Sequence, residues 1–498
     1  MFFDQNPSIV LLLTLFLPAM GAFLLFFVQK DSVNIRYIAL SVALINLLLS
    51  LSILLGKEIL WSGPGLSWSL GEYGVSPLVP YINAVFGLRL DGLSLALVSL
   101  TNLLTVVAVL ASWRIKQRIK EYHFWLLILI TGVLGVFMSS DLLFFFLFWE
   151  IELVPMYLLI SIWGSGNKEY SAMKFVLYTL LGSGFMLIGI LAVRFAVGTF
   201  DIQGIIAAGA AGTLEPGFLS LDVIYVMFLI GFLIKLPAWP FHTWLPDAHT
   251  DAPTPVSILL AGILLKMGGY GLIRMNLAMF PNVSDKWAPW LAMLAGFSVI
   301  YGAILVFRQT DLKRVIAYSS ISHMGLVLLG VASTNIIGVS GSALQMVAHG
   351  TITALLFLTV GLLYEESGTR HIPDLGGLMP SIPKIGSMLV FGGLASLGLP
   401  FLSGFAAEVT VFLGSFSVNP EATAVAMFGI VLTAGYILWT FERVLFREPK
   451  DRFNRVTDAT KIDTTAMILL AIPIFLVGVY PSFILNIINS SIKPIIGG

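Results

Sequence analysis

Apolar residues fill long, nearly unbroken runs along this chain, and polar residues gather in the short stretches between them. Runs of 18 or more apolar residues read as membrane helices, because a hydrocarbon core of about 30 Å takes ~20 helical residues to cross. The pattern predicts spans at 8–28, 35–55, 90–112, 121–139, 141–163, 170–196, 220–247, 255–275, 288–307, 314–334, 341–363, 385–418, 422–441 and 463–487. The expected fold class is therefore an all-α polytopic membrane protein with 14 spans. A membrane barrel would instead show segments of about ten residues with alternating polarity. The seventh and twelfth spans are long and carry Pro and Gly inside, which predicts broken helices there.

Composition agrees. Hydrophobic residues make up 58% of the chain and charged residues 11%, against about 25% charged in soluble domains. There is no cysteine, so disulfides, thiolate-held iron–sulfur clusters and cysteine zinc sites are excluded. A formal net charge of zero implies no general attraction to nucleic acid. No basic segment precedes the first run, Ser8 to Val28, so a retained helix is expected rather than a cleaved signal.

Lys and Arg in the loops set the orientation. With the N-terminus on the non-cytoplasmic side, the cytoplasmic loops hold Lys30, Arg36, Arg114, Lys116, Arg118, Lys120, Lys168, Arg308, Lys313, Arg314, Arg370, Lys384 and six more from Arg443 to Lys461. The opposite loops at 198–220, 333–340 and 417–423 hold none. Both termini are then expected on the non-cytoplasmic side.

An internal repeat is also legible. Asp141-Leu142 opens the fifth span and Asp311-Leu312 the tenth; "SAMKFVLY" (171–178) opens the sixth and "SALQMVAH" (342–349) the eleventh. The broken seventh, "KLPAWPF", answers the broken twelfth, "GLPFLSGF". A five-helix unit reverses its direction in the membrane when repeated, so the two copies are inverted. The expected organisation is 1–120 for the first three helices, 121–275 for one repeat, 288–441 for its inverted copy and 442–498 for the last helix.

An ionisable residue at a helix centre costs roughly 2.5–3.5 kcal/mol on insertion, so each is first read as functional. Lys235 lies too deep in the seventh span to snorkel. Pro237 and Pro240 leave the carbonyls of Leu233 and Leu236 without their helical partners, and a hydrated break beside the lysine is expected. Glu150, in "FFFLFWEIELVP", is expected to face Lys235. Glu152, two residues on, lies on another helix face and is the weaker candidate of the two. Lys266, in "LLAGILLKMGGYG", is bracketed by Gly262 and Gly269, small residues that leave room for water or close helix approach, and Tyr270 one turn on is expected to share its proton network. His323 and His349 sit mid-helix with Ser319, Ser320 and Gln345 for company, and read as a proton relay. Glu408 follows the break at Pro400, the position that mirrors Lys235. His242, Asp247 and His249 read as caps and loop structure rather than a metal cluster, and Lys174 either snorkels or supports Glu150. No phosphate loop, dinucleotide fingerprint or Ser/His/Asp arrangement is present.

These motifs resemble a known family. "DLLFFFLFWEIELVPMYLLI", "KLPAWPFHTWLPDAHTDAPTPVSILLAGILLKMGGYGLIR", "DLKRVIAYSSISHMG" and "LPFLSGFAAE" are similar to the antiporter-like subunits of respiratory complex I, NAD(P)H:quinone oxidoreductase. Glu408, and a chain that stops soon after the fourteenth span, resemble the M-type (chain 4). The resemblance implies 14 core helices in two inverted five-helix repeats and a non-redox subunit of a proton-translocating oxidoreductase. It implies proton transfer through Glu150, Lys235, Lys266, His323, His349 and Glu408, and no role for Glu152. No cofactor is expected on this chain; flavin, iron–sulfur clusters and quinone belong to partner subunits. The implied partners are other membrane subunits, with antiporter-like neighbours on both sides, and lipid. The expected location is an energy-conserving membrane, a bacterial inner membrane or alternatively a thylakoid. The alternatives are a subunit of a multi-subunit cation/proton antiporter, a membrane-bound hydrogenase subunit, and a scaffold bundle whose charges only fix helix register.

Overall fold

In the computed structural model, residues 7–30, 32–56, 66–69, 84–215, 217–450, 453 and 456–497 are described. Arg452 and Arg455, two of the expected loop cations, lie outside the described residues. The helices are α1 (Pro7–Leu24), α2 (Asn34–Leu55), α3 (Gly92–Ala111), α4 (Ile119–Met138), α5 (Leu142–Ile151), α6 (Leu153–Trp163), α7 (Lys168–Val197), α8 (Ile202–Ala210), α9 (Leu221–Lys235), α10 (Trp244–Asp251), α11 (Thr254–Leu277), α12 (Pro281–Val306), α13 (Leu312–Val331), α14 (Ile336–Ser367), α15 (Pro383–Ser396), α16 (Ser403–Phe416), α17 (Pro420–Phe441), α18 (Lys461–Val479) and α19 (Ser482–Ile496). Among the described residues, 12 helices are long and apolar enough to cross a membrane. Two broken elements fall at the expected places: α9–α10 in the seventh span and α15–α16 in the twelfth.

The span that was expected to run over 463–487 ends at Val479. Pro481 has no N–H to continue the ladder and pushes Tyr480 out of the helical region (φ −132°, ψ 67°). The separate helix α19 follows. A small antiparallel pair, β1 (Leu66–Ser69) and β2 (Gly87–Leu90), was not anticipated; four residues are too few to show a period.

Asp141 and Asp311 both cap helices. Asp141 accepts from the N–H groups of Leu143 and Phe144, and Asp311 from those of Lys313 and Arg314. Each also bridges to a later strand-like residue, Asp141 to Asp201 and Asp311 to His371, at the same separation along the chain.

Helices α11 and α14 are the buried centre. α14 packs against α3, α11, α13, α15, α16, α18 and α19. The α11–α14 contact is set by two glycines, since a Cβ on Gly350 would stand 2.7 Å from the Gly262 carbonyl oxygen. Backbones this close bring Lys266 and His349 within reach of each other. α11 also carries two wide turns, Leu260–Leu264 and Leu272–Leu277, on either side of the segment that holds Lys266. Such π-type turns recur at functional sites.

Candidate functional site

Lys235 is the last residue of α9, where the free carbonyl end of a helix favours a cation. Its side chain is 1% exposed and forms an ion pair with Glu152, which is fully buried. The rings of Trp149 and Phe175 flank the ammonium at 5.5 and 5.1 Å. The expected Glu150 pairing is thus corrected. Residues i and i+2 of a helix lie about 200° apart, so only one of the two carboxylates can face inward. The helix also breaks between α5 and α6 at Glu152, just before Pro155, whose missing N–H withdraws a bond from Ile151. Glu150 is half-buried on a face shared with exposed Leu147, Ile151 and Val154, beside Ser183. One of its carboxylate oxygens is buried and has no protein partner.

The break after Lys235 is held by protein donors. Ala238 N–H donates to the Leu233 carbonyl (3.1 Å), and the Trp244 indole donates to that of Ile234 (3.0 Å). The Leu233 carbonyl therefore does not need the water expected for it. α11 lies against this break: a Cβ on Gly268 would meet the Phe232 carbonyl oxygen at 2.6 Å.

From Lys266 onward the residues form a continuous line. Lys266, fully buried, donates to the Ala261 carbonyl and is hydrogen-bonded to His349 Nδ1 (2.7 Å). The rings of His349 and His323 have centroids 5.5 Å apart. His323 Nε2 meets Ser396 Oγ at 3.1 Å, and His323 Nδ1 lies 3.6 Å from Glu408 Oε1. A cavity of about 10 Å³ lies among His323, Gln345, His349, Ser396 and Glu408, roughly the room that one water needs. Glu408 sits in the second turn of α16.

Tyr270 does not join this line. Its hydroxyl turns to the Phe137 carbonyl and Ser94 Oγ, both at 3.3 Å. Beyond it Arg274 pairs with Asp91 at 2.5 Å. Burial works against the Asp91 carboxylate, but Arg274, the Ser94 N–H and Arg89 together hold the carboxyl below its usual range. Lys174 pairs with Asp247 at 2.7 Å rather than with Glu150. His242 packs edge-on against Tyr301, and His249 stacks on Phe357. The reading from sequence missed Glu152, Lys313 and the Arg274–Asp91 pair. Lys313 is buried and donates to the Ala252 carbonyl at 2.7 Å. In the sequence it comes just after the Asp311 cap and is indistinguishable from the loop charges beside it.

A broken-helix bundle with a buried row of ionisable groups defines a class of ion-translocating membrane subunits. The family model for the NADH:quinone oxidoreductase/Mrp antiporter transmembrane region matches residues 139–433, and the chain belongs to this family. It is 40% identical over 476 residues to NAD(P)H-quinone oxidoreductase chain 4 2 of Thermosynechococcus vestitus, covering 93% of this chain and 87% of that one. It is 36% identical over 500 residues to NADH-quinone oxidoreductase subunit M of Rhodobacter capsulatus, covering 97% and 95%. A chain of the solved respiratory complex I from Thermus thermophilus superposes with a TM-score of 0.86 at 29% identity, covering 98% of this chain and all of that one.

Proposed function

We propose that this chain is the M-type, chain 4 subunit of an NAD(P)H:quinone oxidoreductase, and that it moves protons along its buried line. One observation carries the reading: Lys266, His349, His323 and Glu408 follow one another within hydrogen-bond or one-water distances through the centre of the bundle. Near-full-length likeness to chain 4 and M subunits supports the placement. The chain holds no redox centre of its own. Flavin, iron–sulfur clusters and quinone sit in partner subunits, and antiporter-like subunits flank it in an energy-conserving membrane, bacterial or thylakoid.

Electron transfer elsewhere alters the charge at a neighbouring subunit. Glu150, on the outward face, feels that change and competes with Glu152 for Lys235. Release of Lys235 changes its proton affinity, and the change passes to Lys266, the histidines and Glu408. The test is proton pumping by the intact complex with Lys235→Ala in vesicles, measured beside quinone reduction. Quinone reduction should persist while pumping falls severalfold; unchanged pumping contradicts the role.

The family also covers Mrp antiporters. Copurification of the chain with flavin and iron–sulfur subunits supports the oxidoreductase reading, and copurification with membrane subunits alone supports an antiporter.

A further inference from the structure

An apolar crevice opens on the outer side of the bundle between α2, α3, α14, α18 and α19, with a volume of about 610 Å³. Its floor is buried, with Leu100 and Thr351 at 3% and 2% exposure. Its rim is open, with Leu55, Ile472 and Tyr480 at 66%, 49% and 63%. The lining runs over Leu47–Leu55 of α2 and Ala96–Leu103 of α3, about 10–12 Å at 1.5 Å per residue. It starts at mid-depth, at Thr351 two residues from His349, and ends at the membrane face where α2 stops and α18 hands over to α19. That is most of one leaflet, half of a core about 30 Å thick.

Size decides what fits. At about 30 Å³ per small group, the liquid share of one water, the crevice holds about twenty such groups, the scale of one fatty chain. A helix 10–12 Å wide over the same length would need roughly 1,000 Å³. The crevice is continuous with the exposed apolar surface of α2 and α18, so hydrocarbon reaches it directly. Tyr480 at the rim is the kind of residue that sits at head-group level.

We propose that this crevice binds one acyl chain of a membrane glycerolipid, with the head group at the Tyr480 end. The chain has a task there. One layer of leucines separates the crevice from the ionisable line: Leu100 lies 2.6 Å from a Cβ position on Gly350, and Leu104 lies against that of Gly262. A bound acyl chain fills the outer side of this thin wall and keeps water from reaching Lys266 and His349 laterally.

The test uses the intact complex in phosphatidylcholine vesicles doped with a phospholipid that carries a diazirine at the end of one acyl chain. After irradiation, peptides holding 96–103 and 469–484 should carry at least fivefold more label than the α1 peptide holding the exposed Met20 and Phe23. Ala96→Trp, which fills the crevice, should lower that label to the α1 level with quinone reduction retained. Labelling of the wild-type crevice no higher than that of α1 overturns the proposal without any variant. So does a density map with a partner helix or a prenyl tail in the crevice.

Discussion

Lys235 forms its buried ion pair with Glu152 and not with Glu150, two residues earlier on the same helix. This separates the tasks of the two carboxylates. Removing one partner of a buried pair leaves an uncompensated charge and costs about 3–5 kcal/mol. Glu152→Ala should therefore lower the melting temperature of the subunit in the purified complex, or its assembly. Glu150→Ala should leave melting nearly unchanged and reduce proton pumping. Equal losses of stability in both variants would contradict this division.

Gly398 holds the second break in a conformation glycine favours (φ +81°), and a Cβ there would stand 2.7 Å from Glu408 Oε2. Gly398→Ala adds backbone strain of roughly 1–2 kcal/mol and pushes the carboxylate off His323. Pumping should fall at near-normal assembly. A variant with full pumping would show that the position of Glu408 does not matter.

Lys266→Met removes the partner of His349 Nδ1 and the one ammonium within hydrogen-bond reach of it among the described residues. Positioned proton-transfer groups contribute about 10²–10⁴-fold, so pumping should drop tenfold or more while the complex still assembles. A purely scaffolding lysine predicts no change in coupling.

The Asp141 cap, one residue before the span that the structure places at Leu142–Trp163, gives a pH signature. Burial raises its carboxyl to about 6 from an ordinary 3.8, against the three backbone N–H groups that lower it, and nearby Asp201 adds to the rise. Between about pH 4 and 6 the folded state keeps a proton that the unfolded chain has released. Stability therefore falls as pH rises through that window, by up to about 3 kcal/mol. Asp141→Asn keeps an acceptor for the cap and should flatten the melting temperature between about pH 4 and 6. An unchanged slope in the variant would assign the effect elsewhere.

The long helices were legible because a bilayer demands continuous apolar runs, and the two breaks because proline cannot complete a helical ladder. Lys266, His349, His323 and Glu408 were legible because a buried charge is expensive and so stands out. Glu152 was lost for a geometric reason. Spacing along a helix shows that Glu150 and Glu152 face apart, but not which of them faces Lys235. Tyr270 was misplaced in the same way: one turn from Lys266, it points to Ser94 on α3. The Arg274–Asp91 pair joins residues far apart in sequence, which local patterning does not connect.

The most direct test cuts the line at its middle. His349→Phe keeps a ring between Lys266 and His323 and removes the nitrogens. The quantity to measure is protons translocated per quinone reduced, in vesicles holding the intact complex. The account predicts a clear fall in that ratio with quinone reduction still running. An unchanged ratio would contradict it, because protons would then cross without using the line.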